Sequence, residues 1–291
     1  MKISTDWHIH SDNSCDGACM RVSEVISGAA RMGIEDFGLA DHLHTPYNLP
    51  DVVASRREFL SNRPSSRFHF GIEASCVSQW ELEEIATGRY PDPVYGIREG
   101  GPAGAALAIG VTAQDIRRLG IEYVVGGTHW PIYVPFERQA IIADYHRQNM
   151  FLATHPLVDI VAHPWWWHGH WADAHGRYDH QPWFDDFRAI PQSMHDEFAS
   201  AVKEHRKVVE VNLAAMLLNG CYPDSFKARY LEYLAFLKAR GVAMAIGSDC
   251  HSPRYDVDFA RSAAMLEGVG FREEDFWRLP PRKDSSTAEP G

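Results

Sequence analysis

The sequence predicts an α/β fold, a distorted (β/α)7 barrel of the TIM-barrel type. Three observations predict it: short apolar runs recur along the chain, amphipathic stretches separate them, and no long linker or internal repeat divides the chain. Continuous apolar runs are typical of strands buried on both faces of a parallel sheet. They cover residues 3–7, 36–40, 68–72, 123–127, 158–162, 208–211 and 242–246. An open, doubly wound sheet is the alternative.

Amphipathic stretches between these runs predict the helices of repeated βαβ units. They include residues 21–32, 112–119, 138–153, 194–205 and 226–240. We therefore expect one barrel domain over residues 1–279. Two connections are longer than a βα loop requires, residues 88–110 and 164–191, and such insertions usually shape an active site. Residues 280–291 predict a disordered tail.

Composition and charge restrict the classes of partner. The chain has 291 residues, with 28 Lys and Arg against 39 Asp and Glu, a net charge of −11. Nucleic-acid binding depends on basic side chains, so we expect no such partner. No apolar run is long enough for a membrane span. Five scattered cysteines and an N-terminus without signal-peptide features predict a cytoplasmic protein.

Histidine and carboxylate side chains lie in or just after every predicted strand. In a parallel barrel the carboxyl ends of the strands meet on one face, so these side chains should converge. Imidazole and carboxylate groups are metal ligands by type, and the pattern therefore predicts a metal centre. In chain order they are His8, His10, Asp41, His42, Glu73, His129, His163, Glu210, Asp249 and His251, and the amide Asn212 follows Glu210 on the same strand.

The motifs that carry these residues are similar in kind and order to those of the PHP (polymerase and histidinol phosphatase) family. The resemblance extends from residue 6 to about residue 253. The motifs are Asp6-Trp7-His8-Ile9-His10, Ser14-Cys15-Asp16-Gly17, Gly38-Leu39-Ala40-Asp41-His42, Gly71-Ile72-Glu73, Gly126-Gly127-Thr128-His129, Val161-Ala162-His163, Glu210-Val211-Asn212 and Gly247-Ser248-Asp249-Cys250-His251-Ser252-Pro253.

The resemblance implies two to three divalent ions, Mn, Fe or Zn, at the carboxyl ends of the strands. Many members of the family carry a histidine where this chain has Asp16, and a carboxylate there favours Mn or Fe over Zn. The implied ligand sets are His8, His10, Glu73 and Asp249 for the first ion, Glu73, His129 and His163 for the second, and Asp16, His42 and His251 for the third.

The activity implied by the resemblance is hydrolysis of a phosphoester by a hydroxide that bridges two ions sharing Glu73. Asp249 or His251 would transfer the proton to the leaving group. The substrate expected is a small phosphomonoester, similar to histidinol phosphate. We expect His168 and His170, in the second insertion, to contact this substrate. Arg254 and Arg138 are the candidates for binding its phosphate group, as phosphate clamps. Packing in a capping loop and solvated helix-end arginines are the alternatives.

Other functions remain open from the sequence. An amidohydrolase also opens with His-x-His, but the carboxylated lysine of its dinuclear members has no counterpart, because no lysine occurs in residues 3–202. Mononuclear amidohydrolases do not need that lysine. A nucleotide or oligonucleotide phosphoesterase of the same family is a further alternative, as is a metal-binding module without catalysis. The acidic charge favours a small substrate. The sequence does not predict the oligomeric state.

Overall fold

The computed structural model describes residues 1–167 and 182–280. Its strands are β1 (Thr5–Ile9), β2 (Asp36–Leu43), β3 (Phe68–Ser78), β4 (Leu107–Ile109), β5 (Tyr123–Gly127), β6 (Ile160–Val161), β7 (Val208–Asn212) and β8 (Ala243–Gly247). Its α-helices are α1 (Val22–Met32), α2 (Leu49–Ser61), α3 (Gln79–Ala86), α4 (Ala113–Leu119), α5 (Arg138–Thr154), α6 (Gln192–Glu204), α7 (Asp224–Ala239) and α8 (Phe259–Gly268).

Seven parallel strands form a nearly closed barrel in the order β1-β2-β3-β5-β6-β7-β8. The first and last strands meet beyond the end of β8, where the Asp249 amide donates to the His8 carbonyl (2.7 Å) and the His10 amide donates to the Cys250 carbonyl (3.3 Å). The sequence prediction of a distorted (β/α)7 barrel is therefore confirmed. The open sheet is wrong, because an open sheet would leave β1 and β8 unpaired.

Strand β3 departs from the prediction, since it continues six residues past the predicted end at Ile72. Its extension pairs antiparallel with β4, from Cys76 opposite Ile109 to Ser78 opposite Leu107. The insertion at residues 88–110 therefore contains a strand that the sequence did not predict. Small and apolar residues after Glu73 allow β3 to stay buried along its whole length.

The barrel interior is filled by a small apolar core built around Tyr123 and Trp7. The Tyr123 hydroxyl lies 2.9 Å from the Trp7 carbonyl and 2.8 Å from the Leu39 carbonyl. Gly38 and Gly71 leave room for this ring, because a Cβ at either position would overlap it. Tyr123 therefore connects β5 to β1 and β2 inside the barrel.

A larger core lies between the strands and the surrounding helices. Local sequence fixes several helix ends. The Ser78 hydroxyl caps α3 by accepting from the Glu81 amide, and Thr112 caps α4 in the same way through Asp115. Gly33 ends α1 in the left-handed conformation. None of the helices in the described ranges combines the length and apolar character that a membrane span requires.

Two sequence predictions lie outside the described residues. His168 and His170 belong to residues 168–181, and all but the first residue of the predicted tail belongs to residues 281–291.

Candidate metal centre

All nine predicted ligands lie together at the carboxyl ends of the barrel strands. Each is joined to at least one other by a nitrogen–oxygen distance of 3.7 Å or less. They are His8, His10, Asp16, His42, Glu73, His129, His163, Asp249 and His251. Buried polar residues cost free energy unless they are partnered, so this density of ionisable groups requires a chemical reason.

Glu73, which is fully buried on β3, lies at the centre of the cluster. Its Oε1 lies 3.0 Å from Nε2 of both His129 and His163. Its Oε2 lies 2.8 Å from His42 Nδ1 and 3.2 Å from His8 Nε2. One carboxylate thus contacts ring nitrogens from four different parts of the barrel.

The donors around β1 have the spacing of a single coordination sphere. His8 Nε2 and His10 Nε2 are 3.0 Å apart. Asp249 Oδ1 lies 3.2 Å from His10 Nε2 and 3.7 Å from His8 Nε2. Glu73 Oε2 lies 3.2 Å from His8 Nε2 and 3.7 Å from His10 Nε2. Ligands about 2.0–2.1 Å from a tetrahedral ion are about 3.3 Å apart. His8, His10 and Asp249 therefore fit one divalent ion, and Glu73 lies beside them.

A second group surrounds Asp16 on the more exposed side of the centre. Asp16 Oδ2 lies 3.2 Å from His42 Nε2 and contacts His251 Nε2. The His10 ring lies between the other two rings, with its centroid 4.0 Å from that of His251 and 4.4 Å from that of His42. The side chain of His251 is 36% exposed. A molecule from solvent would therefore meet this group first.

Within the described residues, three groups can each hold an ion: His8, His10 and Asp249; His42, Glu73 and His129; and His10, Asp16, His42 and His251. The grouping differs from the one implied by the family resemblance, because the His42 ring contacts Glu73 through one nitrogen and Asp16 through the other. His163 lies within reach of Glu73 Oε1 but outside these three groups.

Orphaned polar atoms support the fit to cations. Glu73 Oε2, Asp16 Oδ1, His42 Nδ1 and His163 Nδ1 are buried and make no hydrogen bond among the described residues. The 2.8 Å contact between Glu73 Oε2 and His42 Nδ1 lacks the geometry of a hydrogen bond. Buried polar atoms almost always have partners. Glu73, Asp16 and His42 belong to the groups described above. Divalent cations bound there would be partners for the carboxylate oxygens that make no hydrogen bond.

Electrostatics favour the ligand forms of the carboxylates, but they divide the histidines. Nearby carboxylates outweigh burial and raise the pKa of four rings, from which a bound metal would displace a proton. These are His8, His42, His163 and His251. Burial opposes ionisation of Glu73, but the rings of His8, His129 and His42 outweigh it and hold its pKa well below the usual range. Burial and the neighbouring His251 and His42 lower the pKa of His10 to about 3. An ionised carboxylate beside a neutral imidazole is the state in which both bind a metal.

Glu210 and Asn212 on β7 position the ligands from behind. Glu210 Oε1 lies 2.6 Å from His8 Nδ1, and its Oε2 accepts from the His163 amide at 2.8 Å. The Asn212 amide donates to Glu210 Oε2 (3.1 Å) and to Asp249 Oδ2 (3.0 Å). A carboxylate on the far nitrogen of a histidine fixes the ring and directs its other nitrogen to the metal.

Two glycines make room for the carboxylates. A Cβ on Gly127 would lie 2.6 Å from Glu73 Oε1, and one on Gly247 would overlap the Glu210 carboxylate. Glycine is therefore needed at the ends of β5 and β8 for a reason of space, not of backbone conformation.

The backbone is strained at two predicted ligands. His163 and Asp249 have φ angles of 26° and 54°, in the left-handed region that is costly for most residues with side chains. Such outliers persist where the surrounding structure holds them, and they cluster at functional sites.

The aromatic segment after β6 divides between core and site. Trp165 and Trp167 are buried in the main core, whereas the Trp166 ring lies 5.2 Å from that of His163 and 5.7 Å from that of His129. Two of these three side chains therefore pack in the core, and Trp166 lies against the metal centre.

The two predicted phosphate clamps lie in exposed positions. Arg138, at the first turn of α5, donates to both carboxylate oxygens of Asp185 (2.9 and 2.7 Å). Arg254 is exposed, three residues after His251. Their role in binding stays a prediction, as does that of His168 and His170.

His44 is a site residue that the sequence analysis missed. It is 3% exposed, and its ring stacks on that of His42 at a centroid distance of 4.5 Å. Its Nδ1 lies 2.7 Å from the Ser75 hydroxyl, which lies 2.8 Å from His129 Nδ1. The available signal was the spacing of His42 and His44, two residues apart like His8 and His10.

Fold and site together define an α/β barrel with groups of histidine and carboxylate side chains that can bind divalent metal ions. No protein-family model and no curated protein matches the chain.

Two solved structures resemble it weakly. One is a Xaa-Pro dipeptidase with bound methionine in the active site, with a TM-score of 0.41, 10% identity and coverage of 92% of this chain and 70% of that one. The other is A. niger ochratoxinase, with a TM-score of 0.39, 13% identity and coverage of 93% and 66%. Likenesses at this level do not define an activity.

Proposed function

We propose that this protein is a metal-dependent hydrolase of a small phosphomonoester, similar to the PHP family. The observation that carries the proposal is the position of Glu73. This buried carboxylate contacts His8 through one oxygen and His129 and His163 through the other. It is therefore suited to join two adjacent ions.

The residues that would hold the ions are the nine predicted ligands. When bound, divalent ions would stabilise charge on the phosphoryl oxygens and lower the pKa of water to near neutrality. Three of the nine ligands are carboxylates, so three divalent ions would leave the pocket positive and able to attract an anion in spite of the acidic chain.

Chain residues would orient the ligands and move the proton. Glu210 fixes the His8 ring, and Asn212 holds one oxygen of Asp249. The other oxygen of Asp249 lies 3.5 Å from His251 Nδ1. His251 Nδ1 lies closer, at 3.0 Å, to the backbone carbonyl of Asp249. The partly exposed His251 ring, rather than a direct bond to the Asp249 carboxylate, would therefore deliver a proton to the leaving-group oxygen as a general acid.

A small substrate fits the charge of the chain better than a nucleic acid does. The net charge is −11, and sequence-independent binding to a phosphate backbone needs a basic surface. Arg138, Arg254, His168 and His170 remain candidates for contacts with the substrate.

Hydrolysis of an amide or a lactone is the second candidate function. It is favoured by one observation: His8, His10 and Asp249 form a group that can hold an ion without the other ligands. A mononuclear hydrolase of this kind needs no carboxylated lysine, which residues 3–202 could not supply.

A substrate screen on the metal-loaded full chain tests the proposal. Para-nitrophenyl phosphate and histidinol phosphate would be compared with a phosphodiester, a nucleotide, a dipeptide and a lactone, with Mn, Fe or Zn supplied. Turnover of a phosphomonoester that chelation abolishes would support the proposal. Turnover of the amide or lactone alone would favour the second candidate.

A further inference from the structure

Exposed aromatic side chains gather near the candidate metal centre. Among the described residues, five large apolar side chains are exposed, and four of the five are aromatic. Tyr47 and Phe136 follow the carboxyl ends of β2 and β5, and Tyr90 and Tyr95 lie in the first insertion. The Tyr95 ring is 5.4 Å from that of His44, beside the centre. Grouped apolar side chains that stay exposed often mark a binding site.

Two further aromatic residues lie against the ligands themselves. The Trp130 ring lies 5.4 Å from that of His129. The Trp166 ring lies 5.7 Å from that of His129 and 5.2 Å from that of His163. Both tryptophans are partly buried, and they meet the His129 ring at different angles, 34° for Trp130 and 84° for Trp166. We call Tyr95, Trp130 and Trp166 the aromatic rim.

Tyr95 brings the rim to the more exposed group of ligands. Its ring lies against His44, on which Trp130 also packs at a centroid distance of 5.5 Å. Its hydroxyl donates to the carbonyl of Cys15 (3.4 Å), the residue before Asp16. The rim therefore reaches the ligand group that a molecule from solvent meets first, and at which the proposed proton donor lies.

The backbone that carries Tyr95 is held in place. Gly96 has a φ angle of 81°, and a Cβ there would overlap the carboxyl group of Glu81. The buried Glu81 accepts from the Ile97 amide at 2.6 Å, and the Tyr133 hydroxyl donates to the Ile97 carbonyl at 3.0 Å. A ring that is fixed before binding loses little entropy when a ligand stacks on it.

Arg98 holds the Trp130 ring from the same insertion. Its guanidinium carbon lies over the ring, 3.0 Å from the centroid, and one of its nitrogens lies 3.7 Å from Glu81 Oε1. A cation over the face of a tryptophan is attracted by the ring. The first insertion and the loop after β5 are thus joined into one wall beside the ligands.

The occupant that fits this wall is the organic part of the substrate. A phosphoryl group held by the ligand groups would place its substituent next to the rim, because the rim rings lie within 5.7 Å of the rings of His44, His129 and His163. Aromatic walls bind planar rings by offset or edge-to-face contacts. The three rim side chains are uncharged, which favours an aromatic group over a second anionic group.

We propose that the aromatic rim binds the leaving group of the substrate, and that this group is a planar aromatic ring. The inference rests on the proposed function, because the metal centre would hold the phosphoryl group. It makes Tyr95 a specificity-determining residue, which selects among phosphate esters and takes no part in the chemical step.

Binding of three phosphonates to the zinc-loaded full chain, measured by calorimetry, tests the subsite without catalysis. Phenyl-, cyclohexyl- and methylphosphonate share the anionic group and have a carbon–phosphorus bond in place of the ester. We expect phenylphosphonate to bind about fivefold more tightly than cyclohexylphosphonate, which is the worth of one aromatic pair beyond its buried area. Methylphosphonate, which is too short to contact the rim, should bind most weakly.

Variants of Tyr95 assign the preference to the rim. Tyr95→Leu should lower the ratio of phenyl- to cyclohexylphosphonate affinity to about twofold or less, and should leave the binding of methylphosphonate unchanged. Tyr95→Phe retains the ring and should retain the preference. Tyr90→Leu is the matched control, because it makes the same change at an exposed tyrosine of the same insertion outside the rim.

The outcomes separate this inference from the proposed function. Equal binding of phenyl- and cyclohexylphosphonate by the wild type overturns the inference, as does a preference that persists in Tyr95→Leu. A preference that Tyr95→Leu loses and Tyr95→Phe retains supports it. If that pattern is seen while no phosphomonoester is cleaved, the proposed function fails and the subsite stands. If none of the three phosphonates binds, the metal centre does not hold the anion and both proposals fall.

Discussion

Glu210 Oε1 lies 2.6 Å from His8 Nδ1, so a carboxylate of β7 fixes a ring of β1 across the barrel. The other oxygen of Glu210 accepts from the amide of His163. One side chain thus supports two predicted ligands from different strands, although no ligand role is predicted for it.

Glu210→Gln is expected to weaken metal binding about 10–100-fold, the usual cost of losing such a support. The amide cannot accept at both ends, and the His8 ring loses its charged partner. Calorimetric titration with Mn or Zn measures the affinity. Glu122→Gln, at the carboxylate paired with His69, is the matched control and should bind metal as the wild type does. Unchanged affinity in Glu210→Gln would contradict the positioning role.

Glu73→Gln is expected to lower phosphatase activity by about 10²-fold or more, because a neutral amide is a poor bridge between two ions. Steady-state kinetics under metal-replete conditions measure the effect. Glu83→Gln, an exposed change on α3, is the control. Full activity in Glu73→Gln would contradict the proposal that this carboxylate joins two ions.

The stability of the metal-free protein is expected to fall in mild acid because of His195. This ring is buried on α6 against Phe187 and Tyr233, and burial lowers its pKa to about 4. The unfolded chain takes up a proton near pH 6.5, before the folded protein does. The buried, neutral His195 therefore stabilises the folded protein fully above pH 6.5. As the pH falls from 6.5 towards 4, the free energy of unfolding decreases by about 3 kcal/mol.

Urea unfolding at several pH values measures this effect. In His195→Leu the free energy of unfolding should decrease less between pH 6.5 and 4 than in the wild type. His205→Leu, at the exposed end of the same helix, should show the same decrease as the wild type. An equally steep loss in His195→Leu would assign the acid sensitivity to other groups.

Gly71→Ala is expected to destabilise the protein by about 1–3 kcal/mol, the usual cost of overpacking a core. The added methyl would overlap the Tyr123 ring, which is held by its bonds to the Trp7 and Leu39 carbonyls. Chemical denaturation measures the change. Gly268→Ala, where a Cβ meets nothing within 4 Å, is the control, and equal stability of both variants would show that Tyr123 can move.

The sequence predicted the seven parallel strands because each is buried and contains a short, mainly apolar run. Strand ends were less predictable. The run at residues 158–162 contains a strand of only two residues, Ile160–Val161, and β3 continues to Ser78. A run of apolar residues indicates which part of the chain is buried. It does not show where a strand ends, because a strand ends where the neighbouring strand no longer offers hydrogen-bond partners.

The convergence of the predicted ligands followed from the parallel barrel, since all carboxyl ends share one face. The contacts of His42 with both Glu73 and Asp16, and the chain from His129 to His44, depend on ring orientations that spacing does not determine. Position in a motif does not by itself make a ligand. Asp41 lies next to His42 in the sequence, but its carboxylate accepts hydrogen bonds from the Ser11 and Ser55 hydroxyls and belongs to none of the ligand sets.

Elemental analysis of the protein purified without chelator shows whether the site holds more than one metal ion. We expect about two to three equivalents of Mn, Fe or Zn per chain, because Glu73 contacts ligands of adjacent groups and is suited to join two ions. One equivalent or less, not restored by reconstitution, would contradict a polynuclear centre.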